Sequence, residues 1–248
     1  MNQITIDIIP RIIESAYIVA PFDEGKKVLE KEGYHILSLE ENARLRMQEG
    51  VKADVSQNGN WVKEDAVYIP SKGARLTKVP LICENAEKAT NCHRNGKDYY
   101  LTPEQVERVL ADSVQLSKKP IPANRFNDDE VTRYVFGNVA EKYGDFLKEA
   151  NINEMSVHLA DLQDKSFARK LWFCWLGGGN RSDLCCDGRS LHYGVSRVRG
   201  VKDSAEGDAK NFISLDNKIQ IALKEGNAFE YNQILYVPVN DKKVVLKQ

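Results

Sequence analysis

Residues 171–202, LWFCWLGGGNRSDLCCDGRSLHYGVSRVRGVK, constrain the fold most, because they interleave two kinds of position. Apolar residues, arginines and an Arg-Ser-Asp turn recur at places that suit a fixed scaffold. Aromatic, thiol, glycine, amide and imidazole groups stand between them with no common chemistry. A catalytic loop needs a few reactive groups in defined roles, so this pattern favours a binding face whose contact residues vary freely.

Most residues of the ligand-binding region at about 171–201 can be assigned either to the fixed scaffold or to the variable, ligand-binding face. Replacing a solvent-facing residue usually changes the free energy of unfolding by less than about 0.5 kcal/mol, so such a face can diversify. The scaffold positions are Leu171, Trp172, Leu176, Arg181, Ser182, Asp183, Leu184, Leu191, Arg197, Val198, Arg199, Gly200 and Val201. The variable, ligand-binding positions are Phe173, Cys174, Trp175, Gly177, Gly178, Gly179, Asn180, Cys185, Cys186, Asp187, Gly188, His192, Tyr193 and Gly194.

The motif order LW…RSDL…RVRGV resembles the variable region of diversity-generating retroelement variable proteins, the archaeal type in particular. The resemblance implies a C-type-lectin fold, distantly like that of formylglycine-generating enzymes. In that family an error-prone reverse transcriptase rewrites adenine-containing codons while the fold stays constant. The resemblance also implies a binding protein without cofactor or catalysis. Its expected partner is a protein or a surface glycan.

Composition narrows the class of protein. The 248 residues are 42% hydrophobic and 29% charged, as in an ordinary soluble globular protein. The formal net charge of -1 provides no basic field that would attract nucleic acid or an anionic membrane. We see no secretory signal and no apolar run of the roughly 20 residues that span a bilayer. We expect a soluble monomer, either cytoplasmic or displayed at the cell surface by another route.

The aromatic run that begins at Trp172 offers two alternatives. Successive side chains of a strand point to opposite faces, so Trp172 and Cys174 share one face while Phe173 and Trp175 share the other. If Trp172 faces the core, Phe173 and Trp175 offer large aromatic contacts to a ligand. In the alternative, both faces of the strand are buried.

The thiols and histidines do not form a recognisable metal or catalytic motif. Five cysteines make an odd count without a disulfide framework. The spacing of Cys185 and Cys186 with His192 matches no usual zinc pattern, nor does that of Cys83 with Cys92-His93, so we expect no metal. Acidic clusters that would hold calcium are not visible either. An enzyme on a formylglycine-generating type of scaffold, using Cys185 and Cys186, stays open as an alternative.

Two further hypotheses concern the loop over 177–183 and the basic strand that contains Arg197 and Arg199. Gly177–Gly179 lacks the Lys-Ser/Thr of a phosphate loop and predicts a flexible turn. The Ser182 and Asp183 side chains can fold back on backbone amides, and an Arg181–Asp183 pair can lock this turn. Arg197 and Arg199, on one face of a strand, would form a single-stranded nucleic-acid platform with Phe173 and Trp175. The alternative is that both arginines bridge the sheet to loop carbonyls or carboxylates, and we expect no nucleic acid.

Local signals predict an α+β domain with a small mixed or antiparallel sheet and flanking helices. Capping boxes at Ser38 and Thr102 predict helices over 39–49 and from 103 to about 116. Further helices are predicted over 23–31 and 215–224, and a long one from about 127 with an apolar stripe to Leu147. Strands are predicted over 67–70 and 76–82 around a Ser71–Gly73 turn, in short runs from Ala150 to Val201, and over 228–239. We expect one compact domain over 1–248.

Overall fold

The protein is described by a computed structural model that covers residues 14–176 and 182–202, together with three strand backbones beyond residue 228. Contacts divide the chain into two compact units, Met1–Lys202 and Asp203–Gln248. The single domain expected over 1–248 stays a prediction. Within the described part of the chain, no helix combines the length and the apolar character that crossing a membrane requires.

The first unit alternates helices and strands along the chain. Its helices are α1 (Phe22–Lys31), α2 (Leu39–Glu49), α3 (Asp54–Gln57), α4 (Leu81–Glu84), α5 (Ala86–Arg94), α6 (Pro103–Ala111), α7 (Glu130–Phe136) and α8 (Ala140–Glu149). Its strands are β1 (Glu14–Val19), β2 (His35–Ile36), β3 (Asn60–Ile69), β4 (Gly73–Thr77), β5 (Tyr99–Tyr100), β6 (Val114–Gln115), β7 (Ile121–Pro122), β8 (Glu154–Met155), β9 (Val157–His158), β10 (Phe167–Phe173), β11 (Leu184–Cys185) and β12 (Arg197–Lys202).

One mixed sheet organises this unit, with the path β1-β12-β3-β10-β11-β9 and shorter strands added at its sides. Most neighbours are antiparallel, including the long β3–β10 pair, which shifts register between Lys170 and Trp172. Parallel pairing joins β12 to β3 and β11 to β9. The predicted ligand-binding segment therefore contributes β10 and β11 on one side of β3 and β12 on the other.

Alternate residues of the central strands enter two separate hydrophobic clusters, so both faces of the sheet are covered. Leu171 and Phe173 of β10 pack in a cluster with residues of α2, α7 and α8. Ala168 and Trp172 belong to a second cluster with residues of α1, α4, α5 and α6. Neighbouring β3 alternates in the same way, with Val62 in the first cluster. The unit is α+β with flanking helices, as the sequence predicts.

The capping signals place the helix starts correctly. Ser38 Oγ accepts a hydrogen bond from the amide of Glu41, while the Glu41 carboxylate accepts one from the amide of Ser38 at 2.6 Å, and α2 spans the predicted residues. Thr102 and Gln105 form the second box, but α6 ends at Ala111 because the chain turns to pair β6 with β4. The cap of α7 is Asp129, so this helix begins at Glu130, slightly after the predicted start at about 127.

Besides α6, two further predicted elements differ from the structure. The single long helix is divided at Gly137, whose φ of 54° lies in the left-handed region, and a 3₁₀ turn separates α7 from α8. The predicted hairpin is confirmed, with Ile69 opposite Gly73, but its second strand ends at Thr77. Pro80 follows as the cap of α4, and a proline cannot continue the strand ladder there.

The second unit contains an antiparallel three-stranded sheet of β13 (Phe229–Tyr231), β14 (Ile234–Val239) and β15 (Lys243–Lys247). The closing strand predicted over 228–239 corresponds to β13 and β14, which pair with each other. The helix predicted over 215–224 lies outside the described residues.

Candidate functional site

Arg46 secures the end of β10, although no sequence motif indicated it. Its side chain is fully buried and lies over the Phe173 ring, 4.1 Å from the centroid. The guanidinium donates hydrogen bonds to the carbonyl of Cys174 at 2.7 Å and to the Tyr143 hydroxyl at 3.0 Å. A third bond goes to the carbonyl of Val55. Arg46 therefore links α2 to the chain where the predicted variable positions begin.

Phe173 lies in the core, so the prediction that it faces the solvent is wrong. Its ring is fully buried and packs on Phe136 and Tyr143, with centroid separations of 6.1 and 6.2 Å. Side chains alternate along β10 itself, which ends at Phe173. Beyond the strand, Trp175 lines a surface cleft together with Trp172, so the prediction that Trp175 shares a face with Phe173 is wrong. Helices cover the face that Phe173 occupies, and the half-buried Trp172 stands on the more open one.

Cys174 and Cys186 are buried as well, against the expectation that both are exposed. Cys186 is packed in the first hydrophobic cluster, and burial raises the pKa of its thiol well above the usual value. Cys174 is 7% exposed. Cys186 is buried because it packs with the residues of α2, α7 and α8 in that cluster, whereas Cys174 lies at the end of β10 with its sulfur against that of Cys185. Cys185 alone of these three thiols is half-buried and reaches a surface cleft.

Two clefts meet at Trp172, which lines both. The first, of about 330 Å³, is formed by the 57–59 turn, Trp172, Trp175, Val195 and Arg197. The second, of about 260 Å³, lies over Trp61 and Trp172. Its rim consists of Cys185, Asp187, Gly188, Ser190, Tyr193 and Ser196. We call these two clefts, with the Trp172 indole between them, the Trp172 surface.

Exposed side chains surround this surface. Trp175 is 39% exposed, Tyr193 52% and Val195 84%. Asp187 and Gly194 are exposed as well, as predicted for variable positions. His192 is half-buried, with its ring 4.4 Å from that of Tyr193. Large apolar side chains left accessible beside clefts are typical of protein recognition surfaces.

Sequence reasoning missed the turn that closes the first cleft. Gln57, Asn58 and Gly59 line it, although they lie far from 171–201 in the chain. Gly59 is in close contact with Trp172, because a Cβ built at Gly59 would overlap the indole ring. Gly59 is the one local signal in this turn, because a glycine often marks a place where the backbone comes close to another group. The amide of Leu176 donates to the carbonyl of Ser56 at 2.7 Å, which attaches α3, just before this turn, to the chain after Trp175.

Arg197 and Arg199 have structural roles beside the site. The Arg197 guanidinium donates two hydrogen bonds to the Asp54 carboxylate at 2.7 and 2.8 Å, and Arg199 pairs with the same carboxylate. Arg199 also donates to Asn60 and Ser15. Burial lowers the pKa of Arg199, and the Asp54 charge opposes this change. Of the two alternatives for these arginines, the structure shows the bridge to a carboxylate.

The remaining scaffold residues are buried where the structure describes them. Leu176 and Leu191 are buried, as are Ser182 and Asp183. Asp183 accepts hydrogen bonds from the amide of Ser156 and contacts the His158 ring at 3.1 Å. The predicted turn positions Gly177, Gly178, Gly179, Asn180 and Arg181 lie outside the described residues, and so does the expected Arg181–Asp183 pair.

Among the residues of the 171–201 segment that the structure describes, the groups that the alternative functions would use do not come together. Within the described ranges, no three His, Cys, Asp or Glu residues lie together as ligands for a metal ion. The adjacent thiols Cys185 and Cys186 point into different surroundings, a cleft and the core. The proposed nucleic-acid platform is also not formed, because Phe173 is buried and the arginines are ion-paired to Asp54.

A cavity larger than either cleft lies elsewhere, between α1 and α5. It measures about 1270 Å³ and carries charges of both signs. Behind it, the Lys170 ammonium is fully buried and donates to Asp65 at 2.8 Å, to the carbonyl of Lys63 and to Cys83. This network joins β10 to β3 and supports the sheet from the face opposite Phe173. The mixed charges that line the cavity between α1 and α5 favour no single class of ligand.

Comparison with known proteins supports the fold. No protein-family model matches the chain, and no curated protein does. The structure is similar to a solved structure described as "Accommodation of massive sequence variation in Nanoarchaeota by the C-type lectin fold", with a TM-score of 0.56 and 17% sequence identity. The similarity covers 79% of this chain and 99% of that one. The chain thus has a C-type lectin fold, which confirms the predicted fold class.

Proposed function

We propose that this protein binds a macromolecular ligand through the Trp172 surface, and that a diversity-generating retroelement diversifies the residues around it. The observation that carries the proposal is the division of 171–201 into two populations. Trp175, Asp187, Tyr193 and Gly194 are exposed around the clefts, whereas scaffold residues such as Leu191 are buried. A surface arranged in this way can change its contacts without changing the core.

The support on which this surface rests is rigid. Buried hydrogen bonds from Arg46 secure the end of β10, and Asp54 holds both arginines of β12. Rigid aromatic side chains such as Trp175 and Tyr193 supply contact area at a low entropic cost. Preorganisation of this kind raises affinity because less motion is lost on binding. The proposed role requires neither a cofactor nor catalysis.

The fold similarity supports the diversification part of the proposal. The solved structure is described as a C-type lectin fold that accommodates massive sequence variation. In this chain, Trp172, Trp175, Val195 and Arg197 line the first cleft, and all four lie within 171–201. The ligand we propose is a protein or a glycan on another cell. A net charge of -1 and the paired state of Arg197 favour these classes over nucleic acid.

The binding part can be tested with the purified chain on a printed glycan array and on a panel of purified surface proteins. We expect saturable binding to one probe, and at least tenfold weaker binding after Trp175→Ala or Tyr193→Ala, since truncating an aromatic anchor costs about 2 kcal/mol or more. Leu162→Ala is the control, because Leu162 is exposed but lines neither cleft. Equal losses in all three variants would contradict binding at the Trp172 surface.

A further inference from the structure

Two thiols face each other at the base of the predicted variable segment. Cys174 follows β10 directly, Cys185 ends β11, and their sulfur atoms are 2.8 Å apart. The amide of Cys174 donates to the carbonyl of Asp183 at 3.0 Å, so strand pairing continues up to the thiol pair. The sulfurs are thus within about 1 Å of the disulfide bond length of about 2.05 Å.

We propose that Cys174 and Cys185 form a redox site, at which a low-molecular-weight disulfide oxidises the two thiols to an intramolecular disulfide. This crosslink joins the end of β10 to β11. No other described pair of the five cysteines is hydrogen-bonded through its sulfurs, and Cys186 points into the core. The short distance between the Cys174 and Cys185 sulfurs therefore defines the site, and the adjacency of Cys185 and Cys186 in the sequence does not.

The chemistry balances with the external disulfide as oxidant. The Cys185 thiolate attacks one sulfur of the oxidant, which forms a mixed disulfide and releases one thiolate. The Cys174 sulfur then attacks Cys185, forms the internal S–S bond and releases the second thiolate. The two protons lost by the cysteines end on the two released thiols. Two protein thiols are oxidised and one oxidant disulfide is reduced.

Access decides which cysteine reacts first. Cys185 lines the second cleft beside Asp187 and Tyr193, so a small oxidant reaches it from solvent. Cys174 is buried and serves as the resolving thiol. Its hydrogen bond to Cys185 and burial both raise the pKa of the Cys185 thiol. The rate of crosslinking is therefore expected to rise about tenfold for each pH unit, in proportion to the thiolate fraction.

The crosslink acts on the ligand surface if the proposed function is correct. Trp175 directly follows Cys174, and Cys185 is part of the second cleft wall. A disulfide bond between Cys174 and Cys185 would fix the distance between the two clefts and make the Trp172 surface more rigid. This consequence rests on the proposed function, whereas the disulfide itself does not. A failure to form the crosslink would overturn the redox site and leave ligand binding standing.

Peptide mapping of the full chain tests the redox site. The protein is incubated with oxidised glutathione from pH 7 to 9, and its remaining thiols are alkylated. Trypsin then separates 171–181 from 182–189, which carry the two cysteines. We expect these peptides to be joined and the alkylated thiols to fall from five to three. Alkylation of both Cys174 and Cys185 throughout this pH range would overturn the proposal.

Three variants identify the sulfurs. Cys174→Ala and Cys185→Ala should each abolish the joined peptide, and Cys174→Ala should leave glutathione attached to Cys185. Cys92→Ser, half-buried in α5, is the control and should crosslink like the unchanged chain. A joined peptide that persists in Cys185→Ala would assign the bond to Cys186 and overturn the proposal. If Cys174→Ala does not fold, the half-exposed Cys185→Ala gives the same test.

Discussion

The Asp54 carboxylate lies 2.7 Å from the Arg197 guanidinium, across 143 positions of the sequence. It accepts from Arg199 as well, so one acidic residue before the 57–59 turn holds both arginines of β12. The same contacts bring the turn against Trp172 and form one wall of the first cleft. A residue far outside 171–201 therefore shapes the surface that we assign to ligand binding.

Asp54→Asn should destabilise the protein, because the Arg199 guanidinium is buried and loses its charged partner. We expect the free energy of unfolding to fall by about 1–3 kcal/mol, less than for a fully buried pair since Asp54 is partly exposed. Urea denaturation measures the change. Asp128→Asn is the control, as its pair with Arg125 is exposed and should change stability by less than about 1 kcal/mol. Equal effects of the two variants would contradict the structural role of Asp54.

The neighbours Phe173 and Trp175 should respond differently to truncation. Phe173→Ala leaves a cavity among Arg46, Phe136 and Tyr143, and should cost about 3–5 kcal/mol of stability. Trp175→Ala removes an exposed ring and should cost less than about 1 kcal/mol. Thermal unfolding of both variants gives the comparison. Similar losses would mean that the two residues do not occupy core and surface as described.

Gly59→Ala should move the Trp172 indole out of its place between the clefts. The added methyl overlaps that ring, and such overpacking typically costs about 1–3 kcal/mol. A shift in tryptophan fluorescence and weaker binding by the Trp172 surface are expected together. Gly188→Ala is the control in the second cleft, because its methyl would meet only the Ser190 hydroxyl at 3.4 Å. An unchanged fluorescence spectrum in Gly59→Ala would contradict this contact.

Two buried groups should give opposite pH dependences of stability. Burial raises the pKa of Glu64 from 4.5 to about 7, so the stability linked to its neutral form is present below pH 4.5 and is lost as pH rises through about 7. Burial lowers the pKa of His93 from 6.5 to about 4, despite the nearby Asp98 charge. The neutral imidazole is favoured in the fold, so stability is gained as pH rises from about 4 to 6.5.

Glu64→Gln separates these two contributions. Relative to the unchanged chain, the variant should gain about 3 kcal/mol of stability as pH rises from 4.5 to 7, because it no longer holds a carboxyl that resists ionisation. His93→Gln should show the opposite slope between pH 4 and 6.5. Denaturation midpoints measured at several pH values provide the curves. Parallel curves for all three proteins would contradict both pKa shifts.

Local signals predicted part of this fold because they act over a few residues. The capping box of Ser38 and Glu41 defined α2, and the Ser71–Gly73 turn defined the β3–β4 hairpin. Alternation was correct up to the end of β10 at Phe173, but it fixes only which side chains share a face, and it failed beyond the strand, where Trp175 lines a cleft with Trp172. The face that α7 and α8 cover depends on contacts distant in sequence, and for that reason Phe173 was assigned to the wrong side.

The parts of the candidate site that were missed carry no local signal. Arg46 lies within α2 and belongs to no recognisable motif, and its bond to Cys174 spans 128 positions. Asp54 and the 57–59 turn reach the clefts through the parallel pairing of β12 with β3. Trp175 and Tyr193 could be predicted from the sequence as surface residues because they are interleaved with scaffold residues. Val195 was overlooked, although it is 84% exposed beside the first cleft.

The most direct test of the central claim is to sequence the DNA beside the gene. The account predicts a near-copy of the region coding for 171–201, next to a reverse transcriptase gene, that differs only where the copy has adenine. The differing codons should include those of exposed residues such as Trp175, Asp187 and Tyr193, and spare buried scaffold residues such as Leu191. A gene without such a copy, or a copy whose differences fall on the buried scaffold, would contradict diversification of the Trp172 surface.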